Sequence, residues 1–284
     1  MSDMQVIRSR ENPHVRRLDA LLRHKKAREE SGLFVLEGTR LCLDAIDAGL
    51  RPRSVLLTQQ ALRKNPELAS LVEAAPQTIW LDESLAERVS ETKTPQGVFA
   101  VLEQPPPTQV EISPQGRYLL LHMVRDPGNL GGILRTAAAL GVIAVFLYGC
   151  AELYAPKTLR ASMGGVFRLP VLQTDDIRRQ IKTLREAGVK VFAGSLRENA
   201  LPPACLGEPG GKAIIIGNEG VGLPEDVAGE CTGSVAIPMQ GGTQSLNAAM
   251  AAGILLWEMM KGNEQVTNYN DCIAFGDGSE MPGP

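Results

Sequence analysis

Residues 118–148, YLLLHMVRDPGNLGGILRTAAALGVIAVFLY, decide the fold. Tyr118–Val124 is a continuous apolar run of strand length, the pattern of a strand covered on both faces. Asp126-Pro127-Gly128 carries turn chemistry, which predicts that the chain leaves the strand there. Leu130–Leu140 follows as a helix of small and aliphatic residues, and Ile143–Tyr148 reads as a second buried strand. Strand, helix and strand in so short a span form the unit from which parallel sheets are built.

The same alternation continues toward the C-terminus. A short helix is predicted over Ala155–Ser162, a strand over Val166–Val171, and a helix over Asp175–Ala187 closed by Gly188. Strands follow at Lys190–Ala193, Ala213–Ile216 and Ser234–Ile237, then a long helix over Ser245–Lys261. The prediction is an α/β fold whose C-terminal part is a mostly parallel sheet with helices on both faces. Gly262–Pro284 is polar and rich in Gly and Pro, and disorder is expected there.

Working toward the N-terminus, QPPPT at Gln104–Thr108 predicts a stiff linker. Before it, residues 14–30 read as an amphipathic helix with Leu18, Leu21 and Leu22 inward, followed by a strand at Leu33–Leu36. Thr39–Ala48 is a helix stopped at Gly49, Ser54–Thr58 a strand and Leu62–Ala74 a helix. Thr78–Leu81 and Gly97–Leu102 are short strands. The expected division is a small α/β domain over 1–104, a linker over 105–111, the parallel-sheet domain over 112–262 and a tail over 263–284.

Composition narrows the function classes. The chain has 284 residues, is 44% hydrophobic and carries a formal charge of −3. No apolar run approaches the ~18 residues of a membrane helix, and the N-terminus lacks a secretory signal; a cytoplasmic protein is expected. Cys42, Cys150, Cys205, Cys231 and Cys272 contain no C-x-x-C pair, and His14, His24 and His122 have no ligand spacing. Neither a disulfide framework nor a metal site is expected. The acidic total hides a basic stretch, Arg8 to Arg28, opposed within it only by Glu11 and Asp19. It could lie along a polyanion, with Arg16, Arg17, Lys25 and Lys26 as contacts, or form a solvated helix face.

Ligands of open parallel sheets bind at the carboxyl ends of strands, and three predicted strand ends combine glycines with polar side chains. In Asp126–Gly141, Gly131 and Gly132 permit close approach of a ligand or a neighbouring chain. Arg135 lies in an apolar helix and needs an anionic partner, either a ligand or an internal carboxylate. In Ile214–Asp226, a strand runs into Gly217-Asn218-Glu219-Gly220; Pro224 and the acidic residues after it exclude a dinucleotide fingerprint. Glu219 could bind a ligand hydroxyl or stabilise the turn. In Ile237–Trp257, a Gly-rich loop precedes Ser245-Leu246-Asn247, a suitable cradle for adenosine or phosphate. Ser245 is also a good N-cap.

Taken in this order and spacing, the three loops resemble the signature motifs of the SpoU/TrmH family of RNA methyltransferases. Asn129 and Arg135 match the first motif, Gly217-Asn218-Glu219-Gly220 the second, and Ile237-Pro238-Met239 with Ser245-Leu246-Asn247 the third. Ala161–Pro170 (ASMGGVFRLP) and Thr94–Val101 (TPQGVFAV) also look like the family, so the resemblance covers roughly residues 90–260. Residues 1–104 look like the substrate-binding domain often fused in front. The resemblance implies a deep trefoil knot, a rare exception to unknotted topology. It implies S-adenosylmethionine held near Gly194, Ser195, Gly217, Asn218, Ile237, Met239 and Leu246, and a homodimer with the active site at the subunit interface. Ala248 stands where valine is common, and Met163-Gly164-Gly165 varies the usual small-residue run.

The implied reaction is methyl transfer to a ribose 2′-hydroxyl of structured RNA, ribosomal RNA being favoured over transfer RNA. The implied catalytic set is Arg135, Asn129, Glu219, Ser245 and Asn247, with no metal. A guanidinium keeps its proton far above neutral pH, so Arg135 is read as a clamp on the target phosphate rather than a base. Arg16, Arg17, Lys25 and Lys26 become candidate RNA contacts. Two rival readings are a non-catalytic RNA-binding or ribosome-assembly protein on the same fold, and a knotted methyltransferase acting on a base nitrogen.

Overall fold

A computed structural model describes residues 5–106, 108–197, 199–240 and 245–261. The first part of the chain runs β1 (Val6–Ile7), α1 (Pro13–Arg23), α2 (Lys25–Ser31), β2 (Leu33–Glu37), α3 (Thr39–Asp47), β3 (Ser54–Leu57), α4 (Gln59–Lys64), α5 (Leu68–Ala74), β4 (Thr78–Leu81), α6 (Glu83–Val89) and β5 (Val98–Glu103). Its five strands form one mixed sheet in the order β1-β4-β3-β5-β2, with β5 antiparallel to both neighbours.

The second part runs β6 (Arg117–His122), α7 (Pro127–Ala139), β7 (Ala144–Tyr148), α8 (Pro156–Ser162), a 3-10 turn (Gly165–Phe167), β8 (Val171–Gln173), α9 (Ile177–Glu186) and β9 (Lys190–Gly194). A 3-10 turn (Pro203–Gly207), β10 (Lys212–Ile216), α10 (Glu225–Gly229), β11 (Gly233–Val235) and α11 (Ala248–Lys261) complete it. The six strands are all parallel, in the order β11-β9-β10-β6-β7-β8. Tyr118, Leu120 and Ile215 face a cluster closed by Ile177, Ile181 and Leu184 of α9. Leu119, Leu121, Ile214 and Ile216 face the opposite way, toward α7 and α11. Both sheet faces are therefore covered, as the apolar run of β6 requires.

The cluster on the α7 side does not stop at the linker. It continues through Phe34, Leu36 and Leu57 into the first sheet, the Phe34 ring lying tilted against Tyr154 and Phe167 with centroids 4.8 and 6.4 Å away. Arg28, predicted among the basic surface residues, is instead buried at this junction. Its Nε and Nη2 donate to Glu152 at 2.5 and 2.6 Å, and its Nη1 to the carbonyls of Leu21 and Leu22. The Pro-rich segment is anchored at its start, Gln104 N donating to Gly32 O at 2.8 Å.

Several predicted elements differ. The helix expected over 14–30 breaks at His24, whose extended backbone separates α1 from α2. The helix expected over 62–74 breaks at Asn65-Pro66, since proline disfavours helix in the residue before it. The strand expected over 166–171 is a 3-10 turn whose Val166 is buried against the α7 side, and β8 begins only at Val171. Helix α7 begins at Pro127, capped by Asp126, so the predicted turn residues are its first turn. Helix α11 begins at Ala248 rather than Ser245. The tail 262–284, expected to be disordered, lies outside the described residues.

Candidate active site

The carboxyl ends of β6, β9, β10 and β11 open on one side of the parallel sheet, and their loops converge there. At the end of β6, Met123 adopts a left-handed backbone (φ 58°) that turns the chain toward α7. Asn218 fixes this turn from the neighbouring loop: its Nδ2 donates to Met123 O at 2.8 Å, while its Oδ1 accepts from Gly220 N and Val221 N. Asn218 and Gly222 exchange backbone hydrogen bonds, closing a tight loop. A Cβ on Gly217 would overlap the Gly222 carbonyl and Leu223 N. Gly217 is therefore demanded by the loop's own closure.

Glu219 stands at the tip of that loop and reaches back to α7. Its carboxylate accepts from Arg125 N (3.3 Å), Asp126 N (3.4 Å) and Asn129 Nδ2 (3.0 Å). Burial works to raise the Glu219 pKa, but the Asn129 amide and the backbone N–H groups outweigh it, and the net shift is downward. Asn129 Oδ1 in turn accepts from Asn247 Nδ2 at 2.9 Å. Asn247 is the residue that caps α11, its Oδ1 accepting from Ala249 N and Met250 N. The cap assigned by sequence to Ser245 thus belongs to Asn247, which resolves why an asparagine stands before an Ala-rich helix. Asn247, Asn129 and Glu219 form one hydrogen-bonded line across three loops.

Behind this line lies a cavity of about 380 Å³, within the size range of small-molecule sites. Gly194, Ser195, Gly217, Asn218, Glu219, Ile237, Met239, Ser245 and Leu246 all line it. Sequence reasoning missed Leu196, Arg197, Val221 and Leu255, which also line it; the first two directly follow Gly194-Ser195 and share its strand end. Ser195 Oγ is buried without a hydrogen-bond partner among the described residues. A buried hydroxyl left so is costly, and a ligand with hydroxyls or ring nitrogens would satisfy it. Mixed polar and apolar walls with an orphan hydroxyl fit an adenosyl group.

Arg135 falls elsewhere. It is exposed on α7 and does not line the cavity, in contrast to the buried guanidinium expected from its apolar neighbours. The backbone beneath it is tightly packed, since a Cβ on Gly165 would lie 2.7 Å from Arg135 Cα. Gly131, expected to admit a ligand, admits α8: a Cβ there would lie 2.5 Å from Ala161 Cβ and clash with Thr158 O. Gly132 faces α11, 3.7 Å from Ala249 Cβ by the same construction.

Arg16, Arg17, Lys25 and Lys26 are exposed on α1 and α2, away from the cavity lining. Lys25 and Lys26 pair with Glu29 and Glu30 one turn on, at 3.3 and 3.7 Å, so their charge is partly balanced. Among the described residues no group of His, Cys, Asp and Glu could hold a metal ion, and no helix is long and apolar enough to cross a membrane.

An all-parallel sheet with a cofactor-sized cavity at its strand ends, bordered by an amide–amide–carboxylate line, defines an α/β protein with a small-molecule site where open sheets bind ligands. The profile of the SpoU rRNA Methylase family matches residues 116–257, and that of the MRM3-like substrate binding domain matches residues 12–100. The chain is 32% identical over 257 residues to the 23S rRNA (guanosine(2553)-2'-O)-methyltransferase RlmP of Bacillus subtilis, covering 90% of this chain and 99% of that protein. The crystal structure of an AdoMet-bound rRNA methyltransferase from Sinorhizobium meliloti superposes with a TM-score of 0.79 at 31% identity, covering 90% of this chain and 97% of that one. The SpoU methyltransferase AviRb of Streptomyces viridochromogenes, in complex with AdoMet, gives 0.77 at 27% identity, covering 88% and 97%. The chain belongs to the SpoU rRNA methylase family.

Proposed function

We propose that this protein transfers a methyl group from S-adenosylmethionine to a ribose 2′-hydroxyl of ribosomal RNA. The relatives named as rRNA 2'-O-methyltransferases and the AdoMet-bound neighbours support substrate and cofactor. The observation that carries the reading is the line Asn247–Asn129–Glu219, which joins the cavity wall to the start of α7. The cofactor would supply an activated methyl, the new O–CH3 bond forming as the C–S bond breaks with its electron pair left on sulfur.

The protein's own part is alignment and exclusion of water. Gly194, Ser195, Ile237, Met239 and Leu246 hold the cofactor, while Glu219 and Asn129 lock the two loops that border it. Ser245 offers its hydroxyl at the cavity wall. Arg135, exposed and cationic, binds the phosphate next to the target ribose. The 2′-hydroxyl proton leaves to phosphate or water, since a guanidinium cannot accept it. Arg135→Ala is expected to lower methyl transfer on the order of 100- to 1,000-fold while cofactor affinity by calorimetry persists. Near-wild-type turnover would remove Arg135 from the site.

The reading extends to a homodimer. Met250, Ile254 and Trp257 are exposed at 62%, 37% and 49% along one face of α11, at the spacing of a contact stripe. A second copy covering that stripe would agree with the subunit-interface active site that the family resemblance implies. Sedimentation of Trp257→Glu should show monomers where the wild type shows dimers; an unchanged mass would oppose this arrangement. The implied trefoil threading has one supporting feature: the chain leaves β11 at the edge of the sheet, yet α11 packs against α7, β10 and the 203–207 turn.

A further inference from the structure

Asp44 of α3 is buried, its side chain 6% exposed, and two arginines from opposite halves of the chain converge on it. Arg40 Nε lies 3.1 Å from Asp44 Oδ1, and Arg168 Nη2 lies 3.5 Å from the same oxygen. Both side chains remain largely in solvent, at 76% and 57%. Arg40 donates one N–H to the carboxylate, Arg168 forms an ion pair with it, and both guanidiniums keep further N–H groups for another partner. We infer that Arg40 and Arg168, aligned by the buried Asp44, form a phosphate clamp that grips the RNA strand between the two halves and delivers it to Arg135.

The segment 163–168 is built for this placement. Met163 and Gly164 both have left-handed backbones, φ 44° and 75°, and for methionine that conformation is costly. A Cβ on Gly164 would lie 2.9 Å from Asp44 Oδ2, and one on Gly165 would lie 2.7 Å from Arg135 Cα. Two adjacent glycines therefore press the segment against α3 on one side and against α7 on the other. Arg168 N closes the 3-10 turn onto Gly165 O at 3.1 Å. Arg40 and Arg168 thus set two guanidiniums against one carboxylate, and the segment that carries Arg168 packs at Gly165 on the backbone of Arg135. An excess of exposed guanidinium is the footprint of a nucleic-acid backbone, for which arginine's fork suits phosphate oxygens. Lys25 and Lys26 of α2, by contrast, each have a carboxylate of their own, Glu29 and Glu30.

This inference rests on the proposed RNA substrate, and its test separates the two. The full-length protein would be assayed with 23S rRNA fragments for affinity across a salt series, for methyl transfer and for thermal stability. For Arg40→Ala/Arg168→Ala, KM for RNA should rise about tenfold or more, with kcat and S-adenosylmethionine affinity near wild type. The salt slope of RNA binding should fall by roughly 1.4 to 1.8, two phosphate contacts' worth. Arg40→Lys/Arg168→Lys should restore most of the slope. An unchanged slope and KM in an active wild-type background would overturn the clamp alone. A lowered Tm or altered oligomeric state with unchanged RNA affinity would also overturn it, assigning Asp44 to domain docking. A wild-type chain that binds cofactor yet neither binds nor methylates rRNA would overturn the RNA reading and the clamp with it.

Discussion

Glu219 gathers three donors from α7 and the turn before it, and this makes the residue more than a loop tip. Replacing it by Gln removes the charge but keeps one acceptor oxygen, so at this exposed position the loss is about 1.5–3 kcal/mol over the three bonds together. Turnover in Glu219→Gln should therefore fall about ten- to a hundredfold, checked by single-turnover methyl transfer. Acid should act in the same way. The Glu219 carboxyl titrates below its ordinary value of 4.5, and Asp126 below 3.8, held down first by Asn129 N–H and then by Lys157. A lowered carboxylate contributes stability that is present above the ordinary value and disappears as pH drops through the folded value. Cofactor affinity should hold down to about pH 4.5 and weaken below it; a loss beginning near neutrality would contradict this.

At the scale of elements, the packing of α7 on α8 sets the site's precision. Gly→Ala in a helix ordinarily stabilises by up to about 1 kcal/mol, but at Gly131 the added methyl meets Thr158 O and Ala161. Overpacking should win, and Gly131→Ala should lose about 1–3 kcal/mol in urea denaturation. Strands β6, β7, β9 and β10 were legible because each is an apolar run ended by Gly or a polar turn. The short helix α6 was not, since seven residues hold too little periodicity and only Asp82 marks its start. VFRLPV at 166–171 has strand composition, yet Gly164 and Gly165 commit it to a turn against two helices. Much of the cavity lining was named by the family resemblance, while Leu196, Arg197, Val221 and Leu255 carried no motif that marked them. The exposure of Arg135 could not, because an apolar neighbourhood in sequence says nothing of which way that one position faces.

For the whole molecule, the decisive contact is the junction of the two sheets. Arg28 and Glu152 are 5% and 18% exposed in their side chains, and one apolar cluster spans both halves. Arg28→Ala would leave Glu152 and two backbone carbonyls without their donor, a loss of about 3 kcal/mol or more. The wild type should unfold in a single calorimetric transition and Arg28→Ala in two, or at a clearly lower temperature. Buried charge and shared aromatics join the two halves across the Pro-rich connection. Sequence could not foresee this, because Arg28 sits among solvent-facing arginines of the same stretch.

The line from Asn247 through Asn129 to Glu219 has an arrow. Each amide gives from its nitrogen and takes at its oxygen, so the carboxylate is the sink. An aspartate of identical shape at 129 or 247 would break one link by setting two acceptors face to face. The donors and the sink are also far apart along the chain, the two asparagines standing 118 positions from each other. Only a fully wound domain can bring them together, so an incompletely folded copy offers no counterfeit site to its RNA.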